Sequence, residues 1–366
     1  MTALPRREFI ISCASAAAAL ALPGAARGAT GEPGQYYERL ARGRVRCQLC
    51  PNRCVLADGE RGACRARINC GGSLRTLAHA NPAILRVDPV EKWPLYHFRP
   101  GSRLLALGTG GCNLSCTYCQ NWQLSQRRPD SLQSFNLPPT RAPEKCEKYG
   151  VSGVGFAYTE PVTAIEYSLA VAAQAREAGL TAVAGTALVC EPGPARDLGR
   201  GFDALAVTLK AGSESTHRTL TGMPLSPVLR NLELVRGRGA WLEVVTLVVP
   251  TINDSDHEIR TIARFVAQHL GRDVPLHLDR FFPEYKLRNL PFTPLSTLVR
   301  AREIALAEGL RFAYIGNAPG HAGQNTLCPV CGTRLHLRIG TDLLENKLGS
   351  SGVCQDCGQE IAGVWV

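Results

Sequence analysis

From Arg103 onward the chain alternates short, almost wholly apolar runs with longer amphipathic stretches. The runs are RLLALG, GVGFAY, TAVAGT, DALAVTLK, LEVVTLVVP, PLHLDRFF and RFAYIGN, and this pattern predicts strands in parallel βα units. Stretches between them, such as AIEYSLAVAAQAREAGL and STLVRAREIALAEGL, predict helices, each with a glycine suited to its C-terminus. Such units build an α/β fold, either a partial or full (β/α) barrel or an open doubly wound sheet. The barrel is the expectation, because polar and chemically capable residues recur just after the strands and would gather at one mouth. The segment LSQRRPDSLQSFNLPPTRAP is rich in Pro and Ser and reads as loop.

The first 29 residues stand outside this pattern. They have a charged start with Arg6 and Arg7, an Ala-rich apolar middle and small residues where a peptidase would cut, which together predict an export signal of twin-arginine type. The expected location is therefore the periplasm or envelope, with the cytoplasm as the alternative. The apolar part, Phe9 to Leu22, is too short to span a bilayer, so no membrane span is expected in the mature chain. The expected division is a signal at 1–29, a Cys-rich segment at 30–102, the barrel at 103–320 and a zinc-ribbon-like tail at 321–366.

Composition adds two constraints. With 366 residues the chain can bury a core without disulfide staples, so its 15 cysteines invite another explanation. They sit mostly in clusters with spacings of two or three, which favour metal over disulfide. The net charge of +10 would suit a nucleic-acid surface, but the basic residues are scattered and no run alternates aromatics with cations, so no nucleic acid is expected.

The cluster in LALGTGGCNLSCTYCQNW carries the most specific chemistry. A cubane iron–sulfur cluster has four irons, normally held by four thiolates. Cys112, Cys116 and Cys119 supply three, so one iron stays free for a ligand that is not protein. A zinc site or three buried cysteines would be the bland alternative, but the triad directly follows a Gly-rich strand end, where Gly108, Gly110 and Gly111 let a loop wrap a bulky group.

CNLSCTYC resembles the signature of the radical S-adenosylmethionine enzymes. The resemblance implies a [4Fe-4S] cluster on these cysteines whose open iron binds S-adenosylmethionine, and reductive cleavage to a 5′-deoxyadenosyl radical that abstracts hydrogen. It also implies an electron donor. AYTEP, with Tyr158 and Glu160, lies where the family has a Gly-Gly-Glu-Pro turn that meets the cofactor's amine. Lys210, in VTLK, resembles the lysine of the activases' Asp-x-Lys motif, with Thr208 in place of Asp; an aldolase-type Schiff-base lysine is the other reading. Asn253, in VVPTINDSD, resembles part of an activase turn, and His277 with Arg280 on the sixth strand is a candidate to contact cofactor or substrate. Further segments, CQLCPNRCVLADGERGACRAR, DPVEKWPLYHFRPGS, PLHLDRFFPEYKL and YIGNAPGHAGQNTLCPVCG, resemble the radical enzymes of the AmmeMemoRadiSam system, relatives of pyruvate formate-lyase activase. That likeness implies Memo-like and AMMECR1-like proteins as partners and names no substrate.

Two metal modules flank the barrel. Cys328, Cys331, Cys354 and Cys357 form two knuckles that suit a structural zinc, with a rubredoxin-type iron as the minority alternative. Cys47, Cys50, Cys54 and Cys64, with Cys70 as a spare, suit either a second zinc or an auxiliary cluster. Two other function classes remain: a zinc-stabilised nucleic-acid-binding protein, which leaves the triad unexplained, and an exported electron carrier, for which an open iron would be a defect.

Overall fold

The computed structural model describes residues 31–365; the expected export signal lies outside the described residues. At its centre is one eight-stranded sheet. Its strands are β1 (Ile84–Pro89), β2 (Arg103–Gly108), β3 (Gly153–Phe156), β4 (Thr181–Thr186), β5 (Ala204–Thr208), β6 (Trp241–Val248), β7 (Leu276–Arg280) and β8 (Ala313–Gly316). All seven strands read from the sequence are present, paired in parallel and in chain order from β2 to β8. Sequential parallel order with right-handed crossovers sends every connecting helix to the same face, which excludes the doubly wound alternative. Among the described residues β1 and β8 do not pair, so the barrel is partial.

Strand β1 is the element that sequence patterning missed. It runs antiparallel to β2 in a hairpin whose connection, 90–102, turns back into the sheet's concave side. Alternation along the strands separates two cores. Leu105, Leu107, Val154, Phe156, Leu205, Val207, Leu276 and Leu278 face the helices α1 (Ala142–Tyr149), α2 (Ile165–Glu177), α3 (Pro192–Gly201), α4 (Glu214–Thr221), α5 (Ser226–Arg236), α6 (Asp256–Phe265) and α7 (Leu295–Ala307). Leu104, Ala106, Val183, Ala206 and Val245 face the inside, where Trp93, Leu95 and Phe98 fill the barrel. Burial on both faces is why these strands read as continuous apolar runs. Gly155 in β3 is required by this plug, since a Cβ there would lie 2.2 Å from the Trp93 ring.

Two three-stranded antiparallel sheets precede β1, and a third carries the C-terminal tail. The tail's hairpin, Arg334–Ile339 with Asp342–Asn346, docks on the barrel through Arg338, which is buried with its guanidinium 4.1 Å from the Tyr96 ring centroid and donates to Tyr96 O at 2.9 Å. No helix among the described residues is long and apolar enough to cross a membrane.

Candidate active site

At the C-terminal ends of β3 to β8 lies a cavity of about 330 Å³, lined on one side by Cys112, Cys116 and Cys119. The loop that carries them follows β2 and is held by backbone bonds to the end of α4, from Ser115 N to Thr221 O at 3.0 Å and from Thr117 N to Leu220 O at 2.9 Å. Gly111 begins it with a φ of 87°, and a Cβ there would lie 2.5 Å from Cys64 O, so only glycine fits. Burial pushes the Cys112 and Cys116 thiols up, Cys112 well above the ordinary range, so free thiols here would stay protonated and inert. Leu114 N–H nevertheless points at Cys112 Sγ, 3.4 Å away.

Among the described residues, only the C-terminal four cysteines bring their sulfurs all within 4.8 Å of one another. The cavity triad is spread more widely than that. One tetrahedral zinc would need sulfurs about 3.8 Å apart, by its ~2.3 Å bonds. A cubane presents its irons at separate corners, and the triad's wider spread around a cavity fits it.

Opposite the triad stand the strand ends. Glu160 is buried and accepts from Thr186 Oγ1 at 2.5 Å, Ala187 N at 2.8 Å and Val162 N at 3.3 Å. Burial raises its carboxyl despite these donors. Lys210 reaches the cavity with its ammonium 5.5 Å from the Tyr118 ring centroid. Burial opposes its charge, but Tyr118 and the three cysteines, where they are anionic, outweigh that and raise it, which disfavours the neutral, nucleophilic lysine of the Schiff-base reading. Tyr158 also lines the cavity, and its backbone takes a φ of 71°. It thus adopts the left-handed turn that a glycine would supply more cheaply, and its hydroxyl is held by a hydrogen bond to Asp88.

Three sequence-predicted residues do not reach the cavity. His277 is wholly buried one layer below, its Nε2 donating to Glu243 Oε2 at 2.7 Å, and packed between Tyr96 and Tyr314. Arg280 points outward and donates to Thr293 O at 2.9 Å. Asn253 is wholly buried and spends its amide on the backbone, donating to Lys210 O and Leu247 O, each at 2.9 Å, and accepting from Val249 N at 2.6 Å. It positions Lys210 instead of touching a ligand.

The residue that sequence reasoning missed is Asp279. It shares the inner face with His277 but sits two positions nearer the mouth, lines the cavity, and has an Oδ1 with no partner. Burial pushes its carboxyl up to about 6. Room for it comes from Gly316, where a Cβ would lie 1.8 Å from that oxygen.

At the far end of the chain Cys328, Cys331, Cys354 and Cys357 come together, with Sγ–Sγ distances of 3.5 Å (Cys328 to Cys357) and 3.7 Å (Cys331 to Cys354). That spacing fits one tetrahedral ion.

The radical SAM superfamily pattern matches residues 107–266. The chain is 38% identical over 327 residues to MJ0808, an uncharacterized protein of Methanocaldococcus jannaschii, across 89% of this chain and 97% of that one. It is 28% identical to the benzylsuccinate synthase activating enzyme of Thauera aromatica, across 34% of this chain and 42% of the enzyme. It is 32% identical to the isethionate sulfite-lyase activating enzyme of Oleidesulfovibrio alaskensis, across 25% and 35% respectively.

Proposed function

Because the chain belongs to the radical SAM superfamily, we propose that it is a radical enzyme of the activating-enzyme kind, with its [4Fe-4S] cluster on Cys112, Cys116 and Cys119 and a partner protein as substrate. The observation that carries this reading is the convergence of the three cysteines, Glu160 and Lys210 on one cavity at the barrel mouth. When bound, the cluster supplies the electron that cleaves S-adenosylmethionine to a 5′-deoxyadenosyl radical. The protein's part is binding and exclusion of water. Lys210 offers a permanent cation to the cofactor's carboxylate, and Glu160, which already accepts from three donors, keeps one lone pair for its ammonium. Asp279, whose Oδ1 has no partner, is a further acceptor, for a ribose hydroxyl or the substrate. The test is anaerobic reconstitution with dithionite and S-adenosylmethionine: 5′-deoxyadenosine should accumulate, and none forms if the chain is an electron carrier or a nucleic-acid-binding protein.

Three finer assignments belong to this reading. The resemblance to the AmmeMemoRadiSam enzymes supports Memo-like and AMMECR1-like partners, which anaerobic co-purification would detect and whose failure to associate would remove. The C-terminal cysteines are assigned zinc as a structural ion. Cys328→Ala is then expected to release about one zinc per chain, by the four-thiolate stoichiometry, and to expose the tail to protease while the barrel persists. Metal analysis that finds no zinc sinks that assignment. Export follows from Arg6 and Arg7, which lie outside the described residues. Changing both to Lys should abolish a shortened, exported form, and full-length cytoplasmic protein in wild type would refute it.

A further inference from the structure

The four N-terminal cysteines gather beside the cavity, with Cys64 O against Gly111. Cys47, Cys50 and Cys64 are each only 7% exposed, and Cys64 lies close enough to Cys47, Cys50 and Cys54 for their charges to interact. Cys54 and Cys64 place their sulfurs 3.8 and 3.6 Å from where a Gly62 Cβ would be, so that glycine keeps the space between them open. None of the four is in a disulfide.

Their spacing bears on the two metals that the sequence leaves open. The C-terminal cysteines have the close spacing that a single ion needs, with sulfurs 3.5 and 3.7 Å apart. Among the described residues no three of the N-terminal sulfurs lie within 4.8 Å of one another. Four gathered but separated sulfurs suit a group that carries its metals at separate corners.

Two further features point to an anionic thiolate centre. Ala63 N donates to Cys54 Sγ at 3.4 Å, and the Asn52 and Ala66 amides are turned to the Cys50 and Cys64 sulfurs. Such donors are worth little to neutral thiols and tune a cluster's potential. Arg67 is buried with 0% exposure beside Cys47 and Cys64; it pairs with Glu166 and donates to Gln35 O at 2.7 Å, yet its Nε has no partner. A buried cation with an unspent donor calls for more negative charge nearby.

We propose that Cys47, Cys50, Cys54 and Cys64 hold a second, fully protein-ligated [4Fe-4S] cluster that passes single electrons to the cluster at Cys112, Cys116 and Cys119. The relay rests on the function proposed above; the cluster does not. The path is short: Cys64 O packs against Gly111, the neighbour of Cys112, and Asn52 Nδ2 donates to Asn113 O at 3.4 Å. In each transfer the N-terminal cluster is oxidised by one electron and the cavity cluster reduced by one, with no bond or proton moved. A low-potential one-electron donor, dithionite in vitro, refills the first.

The test is the triple variant C112A/C116A/C119A, reconstituted anaerobically with iron and sulfide. It is expected to retain about four irons and four acid-labile sulfides per chain, against about eight of each in wild type, by the cubane stoichiometry. A triple variant free of sulfide that carries one more zinc than the tail accounts for overturns the cluster. If the variant does not fold, the wild type decides, since about four irons together with one more zinc than the tail accounts for overturns it equally. Should wild type and variant both hold about four, the N-terminal cluster stands and the cavity assignment falls. For the relay, reduced wild-type protein freed of dithionite and given S-adenosylmethionine is expected to yield a burst of about two 5′-deoxyadenosines per chain, one per stored electron. A burst of one overturns the relay.

Discussion

Alanine at Cys112, Cys116 or Cys119 is expected to abolish 5′-deoxyadenosine formation and to strip the cavity of its iron and sulfide, with the fold intact. Each substitution removes one of three anchors, and two points on one loop leave a cubane labile. The fold should survive because the loop's course does not depend on the cluster: Gly111 seats it against Cys64, and backbone bonds from Ser115 and Thr117 fix it to the end of α4. Without metal, burial keeps Cys112 and Cys116, where they remain, protonated and slow to recapture iron. The loss should exceed about a thousandfold in product formed, since the electron that breaks the sulfonium has no other source in the cavity. Iron and sulfide analysis with chromatographic assay of 5′-deoxyadenosine checks both halves. Full cluster content and full activity in any single variant would falsify the assignment.

What the sequence made legible follows from how strictly each feature is constrained. Parallel strands buried on both faces must be apolar throughout, so all seven could be read directly from their runs. The triad was legible because three thiolates at fixed spacing on a glycine loop have few other uses. Layer depth was not legible. Alternation tells that His277 and Asp279 share a face, but only the height of the plug formed by Trp93, Leu95 and Phe98 decides which of them is buried in the core and which meets the cavity. A side chain's hydrogen-bond partners are equally invisible, which is why Asn253 resembled a ligand contact when its amide is committed to the backbone. The plug itself has no strand or helix period, and the strand β1 leading into it is too polar in RVDP to announce itself.

The largest effect on stability should come from below the cavity, at Glu243. This carboxylate is wholly buried and accepts from Tyr96 N at 3.0 Å, His97 N at 2.7 Å and Trp241 Nε1 at 3.0 Å, besides its 2.7 Å bond with His277. Burial alone would raise its carboxyl, but the His277 hydrogen bond and the neighbouring histidines outweigh that and hold it below the ordinary range. Glu243→Ala strands several donors in a dry interior, at about 1–3 kcal/mol each where no water replaces the acceptor. A net loss of about 3–5 kcal/mol is expected, as for breaking other buried pairs, enough to lower Tm by on the order of 10 °C. Asp279→Asn, one layer up, should leave Tm within a degree or two and change cofactor or substrate binding instead. The sign with pH follows from the same network. Glu243 is depressed, so its contribution is present above the ordinary carboxylate range and is lost on acidification. His97 is pushed down to about 4 by burial, so it stays neutral in the fold while the unfolded chain takes up a proton below about 6.5. Both groups therefore make the protein lose stability as pH falls, His97 across the window from about 6.5 to about 4. Thermal melts of wild type and the two variants at neutral pH, and of wild type across that window, decide the matter. An unchanged Tm in Glu243→Ala would mean that His277 and the segment holding Tyr96 are anchored by something other than this carboxylate.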